Sequence, residues 1–390
     1  MSRVVWFHPR QLLPPRGGGD FRTLGLVRGV LSAGHDVLLV APSEGLQVQG
    51  DPLPGLRTVE LTLRSGIPRV VTKVLSRSPL RAPRVTRASV AGARRAIADF
   101  RPDLGVASEG TIWGMTSALM PDVPWIYDAH NVEHELFAAH AAAAAGALDR
   151  LTFRVDRRRI ARDERLLLDR SEVTLVVSPD DRAGLARVAP GAELVLVPSS
   201  MVAPARTATP ADAGPVVLLV GTLDFPPNVE AVELMAEVMP RLRERCPDAS
   251  LLLIGRRPTS RVRQLAAGAP WVELWEDAPH VAAGYDRARC AVMPFRSGSG
   301  TKLKLYEAFA AGMPVVATAT GAAGVDVAPG SDIFVEDDTV AFADAVARLL
   351  ADPDLAATIG AAARRSFDER LSWERASYPA LLALVERLTG

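Results

Sequence analysis

The amino-acid sequence predicts an α/β fold made of two doubly wound, Rossmann-like domains with parallel sheets. Short apolar runs, typical of buried strands, alternate with longer segments of helical periodicity. The alternation stops between residues 201 and 214, where small side chains and prolines replace nearly all large ones, and then starts again. A chain of 390 residues is also long for a single hydrophobic core.

These observations divide the chain into four segments. We expect an N-terminal domain over residues 1–200, a linker over 201–214 and a C-terminal domain over 215–371. A last helix over 372–390 is expected to pack back on the N-terminal domain. Ligands of open α/β sheets bind beyond the carboxyl ends of the strands, so two such domains facing each other would hold a ligand in a cleft.

Composition argues against several classes of protein. Lys and Arg total 45 and Asp and Glu total 45, so the global charge does not favour a nucleic-acid partner. The two cysteines, Cys246 and Cys290, lie far apart in apolar surroundings, as buried thiols do in a reducing, cytoplasmic compartment. No apolar run approaches the ~20 residues of a membrane span, and the first run is too short for a signal peptide.

A glycine-rich loop follows the first predicted strand. Residues Val4 to Phe7 form that strand, and Gly17, Gly18 and Gly19 lead into a helix that ends near Ala33. Glycines at this position allow a ligand to approach the backbone closely, although a flexible turn explains them about as well. We assign Gly18 and Gly19 to ligand binding.

A histidine lies just beyond the carboxyl end of another strand, Trp125 to Asp128. This residue, His130, is flanked by Asp128, Asn131 and Glu133. A histidine there can donate to or accept from a substrate hydroxyl near neutral pH. We therefore predict a catalytic role for His130.

A strongly basic stretch is hidden by the neutral total charge. Residues Arg57 to Arg101 carry eleven basic side chains and two acidic ones, a local net charge of +9. Apolar residues between Ile67 and Leu75 repeat at helical spacing within it. Such a helix suits an anionic acceptor or peripheral contact with the inner face of a membrane, whereas the alternative is a helix packed on its own domain with solvated arginines.

The segment over residues 294–318, PFRSGSGTKLKLYEAFAAGMPVVAT, carries the strongest functional signal. A glycine loop follows an apolar strand, and a helix is predicted to open at Thr301. The free amides of a first helical turn, with lysines beside them, bind phosphate oxygens. We assign to this role Ser299, Gly300, Thr301, Lys302 and Lys304.

Two further observations support a binding role for this segment. The chain has three lysines, and two of them are Lys302 and Lys304. The carboxylate of Glu307 would repel phosphate but suits neutral hydroxyls held farther along, such as a ribose diol. The alternative is an ordinary strand, loop and helix with a solvated lysine pair.

Two more strand ends in the C-terminal domain supply candidate ligand contacts. Val216 to Val220 leads to Thr222, and Leu251 to Ile254 leads to Arg256. We assign both residues to ligand binding, and to donor binding under the resemblance described next. Together with Lys304 and His130 as catalytic residues, they complete the predicted site.

With both halves placed, the chain resembles glycosyltransferases of the B fold, and most of all the retaining family 4 of sugar-nucleotide enzymes. The resemblance covers nearly the whole chain and is most specific in GSGTKLKLYEAFAAGMPVVAT. It also rests on these shorter motifs: Gly17 to Asp20, Gly34 to Val37, Asp128 to Glu133, and Gly321 to Gly324.

The resemblance implies transfer of a sugar from a nucleoside diphosphate to an acceptor hydroxyl, with retention and without a metal or other cofactor. The ribose would lie on Glu307 and the diphosphate on the helix start with Lys302 and Lys304, while His130 would reach toward the sugar or its phosphate. The acceptor would be a glycan, a lipid-linked compound or a small molecule.

The sequence departs from the family pattern at two places. Ser299 stands where many members have an acidic residue, and Gly221 to Asn228 lacks the Arg and Lys that often follow the first strand of this domain. Under this resemblance the phosphate role passes to Lys302, Lys304 or Arg256.

Two alternatives to transfer remain open at this stage. One is a sugar-nucleotide epimerase or hydrolase on the same fold. The other is a non-catalytic relative that binds nucleotide or a partner, which the departures at Asp224 and Ser299 favour. A dehydrogenase is disfavoured, because neither first loop has GxGxxG followed by an acid about 20 residues on.

Overall fold

The chain forms two compact units in a computed structural model, which describes residues 1–13, 15, 17–43, 53–62, 85–113, 117–143, 147–202, 211–278, 281–297 and 302–390. The N-terminal unit comprises Met1–Ser199 and Ala376–Gly390, and the C-terminal unit comprises Ser200–Arg375. Each unit has its own hydrophobic core, built around its own sheet.

The N-terminal unit contains a parallel sheet with the strand order β3-β2-β1-β4-β5-β6-β7. Strand order reverses between β1 and β4, and ligands of such sheets bind at the carboxyl edge beside that reversal. The strands are β1 (Arg3–Phe7), β2 (Asp36–Ser43), β3 (Leu56–Thr62), β4 (Leu104–Ser108), β5 (Trp125–Asp128), β6 (Val173–Val176) and β7 (Leu194–Leu196).

Helices flank this sheet. Their starts show why the sequence forms them: Thr86 and Ser178 cap the second and fifth helices with their hydroxyls, and Asp20 supplies the cap of the first. The helices are α1 (Gly18–Ser32), α2 (Arg87–Phe100), α3 (Glu133–Ala143), α4 (Ala147–Arg170) and α5 (Pro179–Val188).

The C-terminal unit repeats the architecture with the strand order β10-β9-β8-β11-β12-β13, again in parallel. Its strands are β8 (Val216–Thr222), β9 (Ser250–Arg256), β10 (Val272–Glu276), β11 (Cys290–Met293), β12 (Val315–Ala317) and β13 (Phe334–Val335). Its helices are α6 (Pro226–Arg245), α7 (Ser260–Ala267), α8 (Ala282–Arg287), α9 (Leu303–Ala310), α10 (Ala319–Ala322), α11 (Thr339–Ala351) and α12 (Pro353–Ser366).

The chain ends on a helix of the N-terminal unit, α13 (Tyr378–Thr389). The Tyr378 hydroxyl donates to the carbonyl of Gly25 in α1 at 3.2 Å. A Cβ on Gly29 would lie 2.5 Å from the Tyr378 ring, so this glycine allows α13 to pack closely on α1.

The predicted fold class is confirmed, because both sheets are parallel and have the Rossmann-like order. Strand β3 was not predicted, since polar and apolar residues alternate along this half-exposed edge strand. The helix predicted between Ile67 and Leu75 lies outside the described residues. Two π-helical turns, Phe367–Leu371 and Trp373–Ser377, precede α13, so the last helix begins six residues later than the predicted residue 372. No helix in the described part of the chain is long and apolar enough to cross a bilayer.

Candidate active site

Eight polar side chains form a closed ring at the carboxyl edge of the N-terminal sheet. We call this group the polar ring. Each member lies within 3.3 Å of the next. In order around the ring they are His8, Thr23, Ser108, Asp128, His130, Glu109, Arg10 and Asp20. The last residues of β4 and β5, the loops after β1, β4 and β5, and α1 supply them.

One half of the polar ring consists of charged groups. Nε2 of His130 lies 2.8 Å from Oδ2 of Asp128, and its Nδ1 lies 3.3 Å from Oε1 of Glu109. The guanidinium of Arg10 donates from Nη1 to Oε2 of Glu109 at 2.7 Å and from Nε to Asp20 at 3.2 Å. Nε2 makes the hydrogen bond to Asp128, whereas Nδ1 lies within ion-pair distance of Glu109 and makes no hydrogen bond to a described residue.

The other half is buried and links β1 to β4. Nε2 of His8 lies 3.0 Å from Asp20, and its Nδ1 lies 3.2 Å from the Thr23 hydroxyl. Thr23 lies 3.2 Å from Ser108, whose hydroxyl donates to Asp128 at 3.0 Å. These contacts tie α1 to the strand ends that carry His130 and Glu109.

A buried arginine outside the ring balances its charge. Arg22 donates from Nε to Oδ1 of Asp128 at 2.8 Å and from Nη1 to the carbonyl of Val197 at 2.8 Å. Burial would raise the pKa of the Asp128 carboxyl, but Arg22 and His130 hold it well below its ordinary value. The buried charge of Asp128 is therefore compensated on both carboxylate oxygens.

His130 is a cation at neutral pH. Burial alone lowers the pKa of its imidazole, but the charges and hydrogen bonds of Asp128 and Glu109 outweigh burial and raise the pKa to about 9. The pKa of Glu109 is held far below its ordinary value, against burial, by His130 and Arg10. The sequence suggested a histidine that could donate or accept, and a protonated imidazole can only donate.

Gly19 touches three members of the ring. A Cβ there would lie 2.6 Å from Oε1 of Glu109, 2.8 Å from Nδ1 of His130 and 3.1 Å from Nη2 of Arg10. Gly19 is the second residue of α1, and the charged half of the ring packs directly against its backbone. Gly18 precedes it and is exposed.

Sequence reasoning missed most of the ring. Glu109 has φ = +66°, a strained value for a residue with a side chain, and its amide donates to the carbonyl of Asp128 at 3.0 Å. Its place directly after β4 was a usable signal. Nothing in the sequence alone shows that Arg10, His8 and Asp20 converge on it, because the loop between them has no regular period.

A second buried acid supports the helix that follows His130. Oε1 of Glu164, on α4, accepts from the amide of Glu133 at 2.8 Å, and its Oε2 pairs with His134 at 2.7 Å. Glu164 therefore caps α3 from outside that helix. Burial and the nearby charges of Glu109 and Glu164 raise the pKa of Glu133 to about 8. His134 is partly buried and ion-paired.

In the C-terminal unit, the start of α9 has no side-chain cap. The helix begins at Leu303, two residues after the predicted Thr301, and Lys302 occupies the N-cap position without a side-chain cap. Side chains cap four other helices of this unit, namely Thr259 for α7, Thr318 for α10, Asp338 for α11 and Asp352 for α12. The first turn of α9 carries Lys304 and no acid.

The two charged residues of α9 lack partners in the described part of the chain. No hydrogen bond or ion pair joins the Lys304 ammonium or the Glu307 carboxylate to a described residue. Burial lowers the pKa of Lys304, and Arg256 lowers it further while Glu307 raises it. Burial raises the pKa of Glu307 against the charge of Lys304. Such half-buried, unpaired charges are costly unless a ligand satisfies them.

Thr222 and Arg256 lie opposite each other at the carboxyl ends of β8 and β9. Asn228 donates from Nδ2 to the carbonyl of Thr222 at 2.8 Å. The helix that follows β8, α6, begins with Pro226 and Pro227, which have no amide hydrogen to offer an anion. The structure thus brings Arg256, Lys304 and Glu307 into one electrostatic neighbourhood, while Ser299, Gly300 and Thr301 lie outside the described residues.

Both units match family models of known enzymes. Residues 17–200 match the model described as glycosyl transferase 4-like domain, and residues 214–352 match the model described as glycosyl transferases group 1. The two matches together cover most of the chain, and each matched region corresponds to one of its two parallel-sheet units. The chain belongs to the glycosyltransferases of the B fold.

Solved glycosyltransferases and related enzymes share this fold across the whole chain. Sucrose-phosphate synthase from Thermosynechococcus elongatus aligns with a TM-score of 0.72 and 20% identity, over 99% of this chain and 98% of the other. HepE of Anabaena, solved in complex with UDP and glucose, aligns with a TM-score of 0.66 and 12% identity over 100% of both chains.

A curated relative is more similar in sequence but over a shorter region. The GDP-mannose-dependent alpha-(1-6)-phosphatidylinositol monomannoside mannosyltransferase of Mycolicibacterium smegmatis is 32% identical over 155 residues. The match covers 36% of this glycosyltransferase and 41% of the relative.

Proposed function

We propose that this glycosyltransferase moves a sugar from a nucleoside-diphosphate sugar to an acceptor hydroxyl, with retention at the anomeric carbon and without a metal. The observation that carries the proposal is the start of α9, a helix N-terminus without a side-chain cap, where Lys302 and Lys304 precede Glu307, whose carboxylate has no partner among the described residues. The donor's diphosphate would lie on the amides and lysines, and its ribose hydroxyls on Glu307.

The position of the cations suits the bond that breaks. Cleavage of the bond between the sugar and the phosphate builds negative charge on the departing oxygen. The helix start and Lys304 are fixed before the reaction and interact more strongly with that charge than with the ground state. A divalent cation would supply the same stabilisation in other enzymes, and these groups supply it here.

The polar ring suggests how the N-terminal unit contributes. With Asp128 hydrogen-bonded to one imidazole nitrogen, Glu109 near the other and a raised pKa, His130 would act as a cation and not as a general base. We assign it to orienting or electrostatically stabilising the sugar and its phosphate. Gly18 and Gly19, at the start of α1, would allow the same group to approach closely.

Names of similar proteins support a nucleotide-sugar donor. The mycobacterial relative is called GDP-mannose-dependent, and the Anabaena protein was solved with UDP. The relative's acceptor, a phosphatidylinositol mannoside, makes a lipid-linked acceptor one candidate here, beside a glycan or a small molecule. Peripheral attachment to the cytoplasmic face of a membrane would fit that candidate.

The proposal is tested by thermal denaturation with UDP, GDP, ADP and TDP. A ligand that binds the native state alone adds about 2.7 kcal/mol at a concentration 100 times its Kd, so one nucleotide should raise the melting temperature clearly. Lys304→Gln and Glu307→Gln should reduce that shift. The matched controls are Arg241→Gln and Glu244→Gln, which alter exposed charges of α6 and should leave it unchanged.

Turnover separates the proposal from its alternatives. With the matching sugar nucleotide, sugar should appear on an acceptor in the donor's anomeric configuration, at the same rate with or without EDTA. Release of free sugar or an epimer without acceptor would favour a hydrolase or epimerase. Nucleotide binding without any product from an acceptor panel would favour a non-catalytic relative.

A further inference from the structure

A short segment after β11 leads into the predicted phosphate-binding loop. Its last described residues are Phe295, Arg296 and Ser297, which we call the loop entry. Ser297 lies two positions before Ser299, the first residue that we assigned to phosphate binding. The conformation of the loop entry therefore sets the place from which the chain enters the loop.

The first residue of the loop entry is fixed by Thr318, which follows β12 and is buried. The Thr318 hydroxyl donates to the carbonyl of Phe295 at 2.6 Å and accepts from the amide of Gly321 at 3.0 Å. On the other side of the glycine loop, the ammonium of Lys302 lies 5.9 Å from the centroid of the Phe295 ring. Phe295 is thus held at its backbone and also adjoins the residue at which the loop ends.

The other two residues of the loop entry contact glutamates of α6. Oγ of Ser297 donates to Oε2 of Glu230 at 2.5 Å, and Nη2 of Arg296 donates to Oε2 of Glu237 at 3.0 Å. Seven positions separate these glutamates, so both lie on one face of α6, about two turns apart.

The two contacts differ in strength. The side chains of Arg296 and Glu237 are both more than half exposed, so their ion pair contributes little. The contact between Ser297 and Glu230 is partly buried and joins a hydroxyl to a carboxylate, which is the stronger kind of hydrogen bond. Glu230 is therefore the main link between α6 and the loop entry.

The charge of Glu230 would by itself oppose a phosphate bound at the loop. This carboxylate forms no ion pair with a described residue, whereas Glu233, one turn farther along α6, pairs with Arg261 at 3.0 Å. An uncompensated carboxylate near a phosphate site weakens anion binding. The hydrogen bond to Ser297 gives the residue a role that its charge does not.

We propose that Glu230 is a positioning residue of the donor site, which holds Ser297 so that the glycine loop presents its phosphate contacts to the diphosphate. This inference rests on the proposed function, because the diphosphate is that of the nucleotide donor. Glu230 acts through Ser297 and not on the ligand, and it lies outside the segment that carries Lys302, Lys304 and Glu307. What matters in Glu230 is the hydrogen-bond acceptor and not the charge.

The test compares Glu230→Ala, Glu230→Gln, Ser297→Ala and the double alanine variant. The matched control is Glu233→Ala, which removes a carboxylate of similar exposure from the same helix. Circular dichroism and melting temperature verify that each variant folds. Calorimetric titration with UDP, GDP, ADP and TDP measures affinity, and amide hydrogen exchange of the peptide that contains Ser297 is followed without nucleotide.

Glu230→Ala and Ser297→Ala should each bind the preferred nucleotide on the order of tenfold more weakly, because each removes a charge-assisted hydrogen bond. The double variant should lose no more than either single variant, since both remove the same contact. Glu230→Gln keeps an acceptor oxygen and loses the opposing charge, so it should bind at least as tightly as wild type. Exchange of the Ser297 peptide should quicken in both single alanine variants and stay unchanged in Glu233→Ala.

Equal affinities of Glu230→Ala, Glu233→Ala and wild type would overturn the inference. So would a Glu230→Gln protein that binds as weakly as Glu230→Ala, because binding would then depend on the charge. If wild type bound none of the four nucleotides, the proposed function would fail instead, and exchange would still decide on Glu230. Unchanged exchange in Glu230→Ala would overturn the positioning contact, and faster exchange confined to the variants that lack it would support it.

Discussion

A Cβ atom on Gly19 would lie 2.8 Å from Nδ1 of His130. Gly19→Ala must therefore push apart His130, Glu109 and Arg10, and we expect it to cost about 1–3 kcal/mol of stability and most of the activity. The control is Gly92→Ala in α2, where no atom lies within 4 Å of the added methyl group. That change should be neutral or slightly stabilising. Urea denaturation and initial rates measure both, and equal behaviour of the two variants would contradict the assignment.

We expect Lys304 to lower the stability of the ligand-free protein and to strengthen nucleotide binding. A lysine in the first turn of a helix opposes the helix dipole, so Lys304→Gln should raise the unfolding free energy of the ligand-free protein by about 0.3–1 kcal/mol. The same change should weaken nucleotide affinity. Denaturation without ligand and calorimetric titration with nucleotide check the two halves separately. A variant that is less stable and binds equally well would show that Lys304 is structural.

Arg22 is expected to be indispensable for folding of the N-terminal unit. Removing one partner of a buried charge pair typically costs about 3–5 kcal/mol, and Arg22→Met would leave Asp128 undercompensated. Arg182→Met, at an exposed position of α5, should cost little. Denaturant midpoints compare the two, and a stable Arg22→Met protein would mean that His130 alone suffices for Asp128.

The N-terminal unit should lose stability as the solution becomes alkaline. His130 has a folded pKa of about 9, above its ordinary value of ~6.5, so its favourable contribution is complete below ~6.5 and disappears as pH rises through about 9. Urea unfolding at a series of pH values should show this loss, about 3 kcal/mol for a difference of ~2.5 pKa units. The His130→Gln variant should be less stable at neutral pH, and its unfolding free energy should change less between pH ~6.5 and about 9. A flat wild-type profile there would show that His130 is not held as a cation.

Glu133 adds a separate, earlier decline. Its folded pKa of about 8 lies above the ordinary value of ~4.3, so its effect on stability also falls with rising pH, beginning near pH 4.3 and ending near 8. Glu133→Gln should remove this part of the profile and leave the His130 part in place. If the profile of this variant matched that of wild type, Glu133 would be ionised in the folded protein at neutral pH.

The fold could be predicted because strands buried in a parallel sheet have a simple sequence pattern. Strands buried on both faces, such as β1, β4 and β5, read as unbroken apolar runs, and the glycine and proline punctuation between them is clear. Strand β3 escaped prediction because it is an edge strand with polar residues on its exposed side. The start of α9 was placed two residues early, because Thr301 is a better N-cap in isolation than Lys302.

The candidate site was only partly predictable, for a different reason. Lys302, Lys304 and Glu307 are close in sequence, so one helix brings them together and composition draws attention to them. The ring around His130 instead draws on residues after three strands and on α1, and contacts such as that between Arg10 and Glu109 span 99 positions. The periodicity of apolar residues in the sequence does not show which distant residues meet in the folded chain. The positive φ of Glu109 is likewise a product of the folded neighbourhood.

Because the polar ring is closed, it constrains which substitutions this protein can accept during evolution. In a linear network of hydrogen-bonded residues, replacing the terminal residue affects one neighbour. In a closed ring, replacing any residue affects two neighbours. Double substitutions among these eight positions should therefore show strong coupling in stability. Homologues that have replaced one member should have replaced its neighbours as well, so the eight residues are expected to be inherited or lost as a set.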